Sequence, residues 1–424
     1  MKKIIYLICL VCLIIEGKLL EAEEPIKLTL DEAIGIALRD NREVLLKKED
    51  LNKAKEKWKE AEAERLPKFS LESSRLDMLD YYNKDITSIS NQLSLKQFLY
   101  TGGKISGNIK KSVYGMEINK ARLEETILEI VFNVKKAFFT LLLAEEYAKL
   151  NKAIFTNTQN HLKAITERYH NGQASESELV KLQQALANVE QVLLLSLNQI
   201  ESAKANLRNL LYLEKDIDIE AEGELIYEPM EIAFDEVYLK ALRERPILQL
   251  YETQEKIDKL QKEIAKSELL PTVYASWDYY TNYSNSPQAI SKGWENHQTI
   301  GIVLSWPIFD GFATQAKIRQ AEIDLKETQL LKEKTTMDIA SELKNAYLEI
   351  NDAMAKLKAK DAEINFYEDN FRVINDKYNR GIASDLDLED AKLSLEIARF
   401  NRKEAVYDYL IAKAKLEKIT GEME

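Results

Sequence analysis

The sequence predicts a mainly α-helical protein with a small β part, built from two similar halves. Its 424 residues include only 13 Gly and 7 Pro, while strong helix formers dominate, so long helices with few turns are expected. Motifs recur in the same order after roughly 200 residues, which indicates a duplicated architecture. Within each half, about 30 residues change from a helical period to a two-residue alternation, which indicates strands.

The duplication is visible in short motifs. Leu66-Pro67 reappears as Leu270-Pro271, 204 residues later, and Arg168–Gly172 matches Lys377–Gly381, 209 residues later. A unit of roughly 200 residues is too long for a solenoid repeat, so each copy is interpreted as half of a duplicated domain. Each half is predicted to run helix, strand, strand, long helix, turn, long helix. The predicted organisation is a first repeat at residues 23–212, a connector at 213–233 and a second repeat at 234–421.

The first residues are typical of a secretion signal. Lys2 and Lys3 precede an apolar run at Ile4–Ile15, which gives the charged and apolar regions of a signal peptide. That run is too short to cross a bilayer as a helix. We expect cleavage after Ala22, so that residues 1–22 are removed together with both cysteines. Neither cysteine follows the small residue that a lipoprotein signal requires, so no lipid anchor is expected.

Each half begins with an approach helix followed by two strands. Thr29 and Glu32 have the spacing of a capping box and mark the start of the first approach helix. Pro67 and Pro271 mark the ends of the two approach helices, because proline removes a donor and disfavours helix in the residue before it. The alternating segments that follow have one polar face and are interpreted as strands. The predicted strands are residues 68–76, 89–98, 272–281 and 298–306.

These strands constrain how the protein could meet a membrane. After the signal, no segment has about 20 consecutive apolar residues, so any membrane crossing must use strands. Four strands cannot close a barrel alone, because open edges in lipid leave backbone groups unpaired. Several protomers would therefore have to share one barrel. Aromatic residues suited to interfacial girdles lie near the strand ends: Tyr81, Tyr82, Tyr279, Tyr280, Tyr283, Trp294 and Trp306.

The remaining segments predict long helical hairpins. An apolar series beginning at Ile339 steps by four and three residues as far as Tyr378. A sustained period of about 3.5 residues specifies helices wound on one another rather than around a compact core. One helix from Gly102 to Tyr169 would be ~100 Å long at about 1.5 Å per residue. The predicted hairpins are residues 102–211 and 311–420.

Composition and motif content argue against several functions. The chain has 59 Lys+Arg against 71 Asp+Glu, a formal net charge of −12, which disfavours binding to nucleic acid. The three histidines, His161, His170 and His297, show no metal-ligand spacing. No nucleophile motif or phosphate-binding glycine loop is present, so we expect no catalysis, no cofactor and no metal site.

The duplicated plan resembles the TolC outer-membrane efflux family over residues 28–421. The resemblance lies in the strand-to-helix junctions Gln97–Gly103 and Trp306–Gly311 and in the turns Tyr169–Gly172 and Tyr378–Gly381. It implies a homotrimer that forms a shared 12-stranded β-barrel in outer-membrane lipid, with a long α-helical barrel in the periplasm of a Gram-negative-type cell. It also implies a periplasmic adaptor protein and an inner-membrane transporter as partners. The function implied is that of a passive exit duct in tripartite efflux or type I secretion, for a cargo that the sequence does not specify.

The resemblance also implies roles for the two turns between long helices. Gly172 and Gly381 are expected to take a positive φ that reverses the chain. With Tyr169 and Tyr378, these turns would form the periplasmic tips that an adaptor grips. The first junction departs from the family pattern in having Phe98 where proline is favoured.

Two interpretations apply to the acids after the second turn. Ser384 and Asp387 have capping-box spacing, so Asp387 could simply cap a helix. In the family that the chain resembles, acids at the positions of Asp387 and Asp390 form a constriction that closes the periplasmic entrance. Six carboxylates around one axis would attract cations and raise the carboxyl pKa values. Tyr378 would help to hold this gate closed, whereas Ala383 stands where some relatives have a latching arginine. That latch is therefore expected to be absent or to be replaced by a nearby cation such as Arg380 or Lys377.

Two other classes of protein remain as alternatives. A soluble periplasmic coiled-coil adaptor would share the long hairpins, but it would not need two strand pairs or a repeat of the whole unit. An enzyme would need a concave site for which the sequence offers no residues.

Overall fold

The computed structural model describes residues 26–80, 85–215, 217–230, 233–286 and 293–422. In these ranges the chain forms helices α1 Leu30–Asp40, α2 Arg42–Ala63, α3 Lys104–His170, α4 Glu176–Leu211, α5 Phe234–Glu244, α6 Pro246–Ser267, α7 Ala313–Asn379 and α8 Asp385–Thr420. The strands are β1 Ile26–Leu28, β2 Lys68–Met78, β3 Ile86–Tyr100, β4 Ile219–Ala221, β5 Thr272–Ser284 and β6 Gly293–Ser305. The mainly α class with a small β part is confirmed. The predicted signal peptide, Tyr81 and Tyr82 lie outside the described residues.

The compact units of the fold are not the two sequence repeats. The helical unit comprises residues up to Leu45, Thr126–Ala241 and the residues from Ile339 onward. The sheet unit comprises Leu46–Glu125 and Leu242–Asp338. Each unit therefore combines segments from both repeats, and the long helices α3 and α7 contribute to both units.

The structure has two approach helices in each half where the sequence predicts one. The predicted capping box at Thr29 is confirmed, since its side chain and that of Glu32 cap each other's backbone N–H groups at the start of α1. Asn41 then leaves the helical conformation. Its side chain accepts a hydrogen bond from the Glu43 N–H at 2.9 Å and so starts α2. In the second half, Pro246 occupies the first position of α6 and likewise starts a second approach helix.

The helical unit is built around the apolar series predicted on α7. Leu343, Ala346 and Ile350 are fully buried, as a 3.5-residue period requires of a helix packed along one seam. The unit also contains a short parallel pair, β1 with β4, which was not predicted from the sequence. Strand β4 lies within the predicted connector.

The sheet unit contains a four-stranded antiparallel sheet in the order β2-β3-β5-β6. All four strands occur where alternation predicts them, and all four are longer than expected at their turn ends. Both hairpins, β2-β3 and β5-β6, join strands that are neighbours in sequence, whereas β3 and β5 come from different repeats. The register between β3 and β5 shifts at Phe98 and Tyr100.

Two glycines of α3 in the sheet unit provide a test of helix packing. A Cβ at Gly107 would lie 2.7 Å from Cγ1 of the buried Ile264, whereas a Cβ at Gly115 would meet nothing within 4 Å. We expect Gly115→Ala to raise the free energy of unfolding by ~0.5–1 kcal/mol, since alanine loses less backbone entropy. Gly107→Ala should lower it by ~1–3 kcal/mol through overpacking. Thermal unfolding in detergent would measure both, and shifts of the same sign would contradict the packing assigned to Gly107.

Candidate functional site

The four-stranded sheet has two chemically different faces. Side chains alternate along a strand, so residues in register share a face. On the first face, Phe69 pairs with Leu95, Leu95 with Trp277, and Trp277 with Ile300. This mainly apolar face also carries Leu71, Leu93, Ala275, Ile302 and Leu304. A polar row of Ser73, Asn91, Thr281 and Asn296 interrupts it, and Arg75, Gln97 and Gln298 are further polar residues on the same face. Ile300 is 86% exposed in the single chain, so this apolar surface lacks a covering layer.

The opposite face of the sheet is polar and internally hydrogen-bonded. Gln92 donates from Nε2 to Oδ1 of Asp278 and to the hydroxyl of Tyr280, each at 3.0 Å. Ser94 also bonds Asp278. The ring of His297 stacks on Tyr280 with 4.8 Å between centroids. Polar groups that satisfy one another on one face, opposite an exposed apolar face, are what a strand between water and lipid requires.

Aromatic residues delimit the apolar face along β6. Trp294 lies beside Tyr283, with 5.5 Å between ring centroids, and Trp306 follows the last residue of the strand. From Trp294 to Leu304 the strand covers ~33 Å at about 3.3 Å per residue. A tilt of about 45° reduces this to ~23 Å, close to the ~25 Å apolar band of a membrane barrel. Tyr280, expected in the girdles, instead belongs to the polar face.

The two turns between long helices have the same geometry. Gly172 and Gly381 take φ values of 71° and 72°, which confirms the predicted positive φ. After each glycine a backbone N–H closes the turn: Gln173 donates to the Arg168 carbonyl at 2.8 Å, and Ile382 donates to the Lys377 carbonyl at 2.9 Å. This pattern of bonds satisfies carbonyls at the end of the preceding helix.

Asp387 is the capping residue that its spacing predicts. Its carboxylate accepts hydrogen bonds from the N–H and the hydroxyl of Ser384 at 2.8 and 2.7 Å, and the Ser384 hydroxyl accepts from the Asp387 N–H. The bonds from Ser384 hold the pKa of Asp387 below its ordinary value. Within one chain, the pKa of Asp387 is therefore shifted downward, whereas six clustered carboxylates would be expected to raise it.

Asp390 has a different environment, one turn further along α8. Its Oδ1 accepts hydrogen bonds from Nδ2 of Asn157 at 2.9 Å and from Nε2 of His161 at 2.8 Å, both on α3. Next to it, Glu389 accepts from Asn160 at 3.0 and 3.1 Å. The structure thus brings a histidine to a predicted gate residue, a contact that no sequence pattern predicts.

The first turn lacks this arrangement, although it repeats the cap. Ser175 and Glu178 form the matching capping box at the start of α4. At the 209-residue offset, however, Lys181 stands in the place of Asp390 and Asn370 in the place of His161. A carboxylate that accepts hydrogen bonds from the neighbouring long helix, as Asp390 does, is therefore found at the second turn and not at the equivalent position of the first.

Tyr378 contacts its own hairpin. Its hydroxyl donates to the carboxylate of Asp385, and this hydrogen bond raises the pKa of Tyr378. The bond joins the end of α7 to the start of α8, so it supports the shape of the turn. Tyr169, at the equivalent place in the first turn, is also exposed.

A cleft of about 450 Å³ adjoins the residues that hold Asp390. Asn157, Asn160 and Glu389 form part of its wall. Its charged lining consists of Lys149 and Lys152 on α3 and Glu389, Lys392 and Glu396 on α8. Among the described residues, no three His, Cys, Asp or Glu side chains group as a metal ion would require. Over the same ranges, no helix has both the length and the apolarity to cross a membrane.

Comparison with known proteins identifies the class to which this architecture belongs. The model of the family described as outer membrane efflux protein matches residues 33–211 and 237–422. The chain therefore belongs to the outer membrane efflux protein family. The prediction of an outer-membrane efflux channel is confirmed, and the adaptor alternative is not supported.

Individual relatives agree with this assignment. The chain is 22% identical over 344 residues to the alkaline protease secretion protein AprF of Pseudomonas aeruginosa, covering 80% of this chain and 71% of that one. In fold it is similar to the outer membrane channel CmeC of Campylobacter jejuni, with a TM-score of 0.77, 17% identity and coverage of 92% and 85% of the two chains. It is also similar to the outer membrane protein VceC of Vibrio cholerae, with a TM-score of 0.75, 17% identity and coverage of 93% and 97%.

Proposed function

We propose that three copies of this chain form one passive channel, with a shared 12-stranded barrel in the outer membrane and a helical barrel in the periplasm. The four-stranded sheet carries this proposal. Its outer strands β2 and β6 have no further strand partner among the described residues, and its apolar face is exposed. Unpaired strand edges cannot remain in lipid, so each edge needs the opposite edge of another copy. Three sheets of four strands give the 12 strands.

Exposed apolar side chains on the long helices support assembly as well. Leu194, Leu195 and Leu197 on α4 and Leu348 and Phe366 on α7 are exposed in the single chain. Exposed apolar side chains on coiled-coil helices are suited to packing against neighbouring helices. In the proposed trimer, these faces would meet the helices of the adjacent copies.

We assign the gate of this channel to Asp390 and Asp387, with Tyr378 supporting the turn. Asp390 is 54% exposed even while it accepts two hydrogen bonds. Three copies would place six carboxylates around one axis, a ring that attracts cations and narrows the passage. Asp387 would serve both as helix cap and as a member of this ring.

The channel would work with an inner-membrane transporter and a periplasmic adaptor protein. The turns at Gly172 and Gly381, with Tyr169 and Tyr378, are proposed as the adaptor contacts. A Cβ at either glycine would meet nothing within 4 Å, so both turns have open space beside them. AprF is named for the secretion of a protease, which favours type I secretion of a protein over drug efflux as the system served. No catalytic step is assigned to the chain.

A detergent experiment tests the channel directly. The mature protein is expected to fractionate with outer membranes and to run as a trimer in mild detergent. In planar bilayers it should form discrete ion-conducting pores, because closed barrels need both lipid and three sheets. Size-exclusion chromatography with light scattering and single-channel recording would measure these properties. A monomer that stays dispersed in detergent-free buffer and forms no pores would contradict the proposal.

A further inference from the structure

The carboxylate proposed for the gate is held by a histidine on another helix. Nε2 of His161 lies 2.8 Å from Oδ1 of Asp390, and Asn157 donates to the same oxygen at 2.9 Å. An ionised carboxylate only accepts hydrogen bonds, so the imidazole is the donor. The His161 side chain is 26% exposed, so the contact is partly shielded from water.

The residues that make this contact occupy one face of α3. Asn157, Asn160 and His161 are spaced three and four residues apart, so they lie together on the helix surface. They bond the consecutive acids Glu389 and Asp390 of α8. Because α3 belongs to the first repeat and α8 to the second, the contact joins the outgoing helix of one hairpin to the returning helix of the other.

The chemistry of this contact depends on protonation. A protonated imidazole gives Asp390 a charge-assisted hydrogen bond, which is shorter and stronger than the bond from a neutral ring. Histidine is the side chain whose charge ordinarily changes between pH 5 and 8. The other charged groups of the adjoining cleft are Lys149 and Lys152 on α3 and Glu389, Lys392 and Glu396 on α8.

We propose that His161 is a positioning residue that holds Asp390 in the closed gate, and that acidification strengthens this hold. His161, when protonated, supplies a cation to the Asp390 carboxylate from another helix. When the imidazole is protonated, the charged pair stabilises the closed turn, and this added stabilisation is lost when the imidazole is deprotonated. This inference rests on the gate proposed above.

Single-channel recording between pH 5.5 and 8 tests the proposal. Wild-type pores are expected to show a lower open probability at pH 5.5 than at pH 8, by about fivefold in the ratio of open to closed states. His161→Gln keeps a neutral donor and should give a flat pH profile. His161→Lys keeps a charged donor at every pH in this range and should restore the low open probability throughout. His161→Ala should raise open probability at pH 5.5.

The chain offers a matched control at His170, an exposed histidine on the same helix. His170→Gln should leave the wild-type pH profile unchanged. Within one chain, hydrogen bonds from Ser384 hold the pKa of the Asp387 carboxyl below its ordinary value. A pH profile that survives in His161→Gln would overturn the proposal.

Failure of this inference can be distinguished from failure of the proposed channel. If wild-type protein forms no pores, the proposed function fails. If pores form and Asp390→Ala opens them while His161→Gln and His161→Ala match the wild type at every pH, the gate stands and the role of His161 is refuted.

Discussion

Replacing Asp387 and Asp390 together with alanine is expected to raise single-channel conductance severalfold and to weaken block by divalent cations. Six carboxylates around one axis both narrow the entrance and bind cations, and the double substitution removes all of them. Conductance in planar bilayers, with and without added Mg²⁺ or Ca²⁺, would measure the effect. Asp390→Ala alone should reproduce much of it, because this carboxylate is not part of the cap.

The helix cap must be separated from the gate in this experiment. Loss of the Asp387 cap weakens the start of α8, and cap substitutions typically cost about 1 kcal/mol. Glu178→Ala provides the control, since it removes the matching cap of α4 at the first turn. If Glu178→Ala raises conductance as much as Asp387→Ala does, the cap explains the effect. Unchanged conductance in the double variant would refute the gate.

Substituting lysine for Ile300 is expected to abolish assembly in the membrane. Ile300 lies midway between Trp294 and Trp306 on the apolar face of β6 and is 86% exposed in the single chain. A lysine at the middle of a bilayer costs ~2–4 kcal/mol in membrane barrels, and a trimer would contain three. We expect loss of the detergent-resistant trimer and of pores, measured by gel mobility without heating and by bilayer recording.

The adjacent residue supplies a matched control for this prediction. Thr299 lies at nearly the same depth on β6 but belongs to the polar face, where it pairs with Asp278. Thr299→Lys should assemble normally, with at most a change in ion selectivity. If Thr299→Lys and Ile300→Lys behave alike, the assignment of the two faces to water and lipid is wrong.

The parts of the fold that local sequence determines were predictable. The box at Thr29, the box at Ser384 and the glycine turns depend on residues within a few positions of one another. The strands followed from alternation over about ten residues. In contrast, β1 and β4 have three residues each, which is too few to show a period. The break at Asn41, which divides the first approach helix into two, was not indicated by the sequence either.

The candidate site divides in the same way. Capping by Asp387 followed from its spacing to Ser384, whereas the partners of Asp390 did not follow from any pattern. His161 is 229 residues from Asp390, and a lone histidine on a helix carries no indication of its partner. Only the packing of α3 beside α8 brings the two together. The division into a helical unit and a sheet unit was also not predictable, because the repeats suggested two sequential halves.

The pairing of β3 with β5 imposes an order on biogenesis. Gln92 and Asp278 bond across 186 residues of sequence, so the first hairpin emerges with one side of β3 unoccupied until β5, near the start of the second repeat, has been made. Such distant pairings close slowly, and the waiting edge is prone to aggregate. A polypeptide of this design must therefore be kept from aggregating during export until β5 is available to pair with β3. Truncation after the first repeat would leave the hairpin β2-β3 without β5, the strand that pairs with β3.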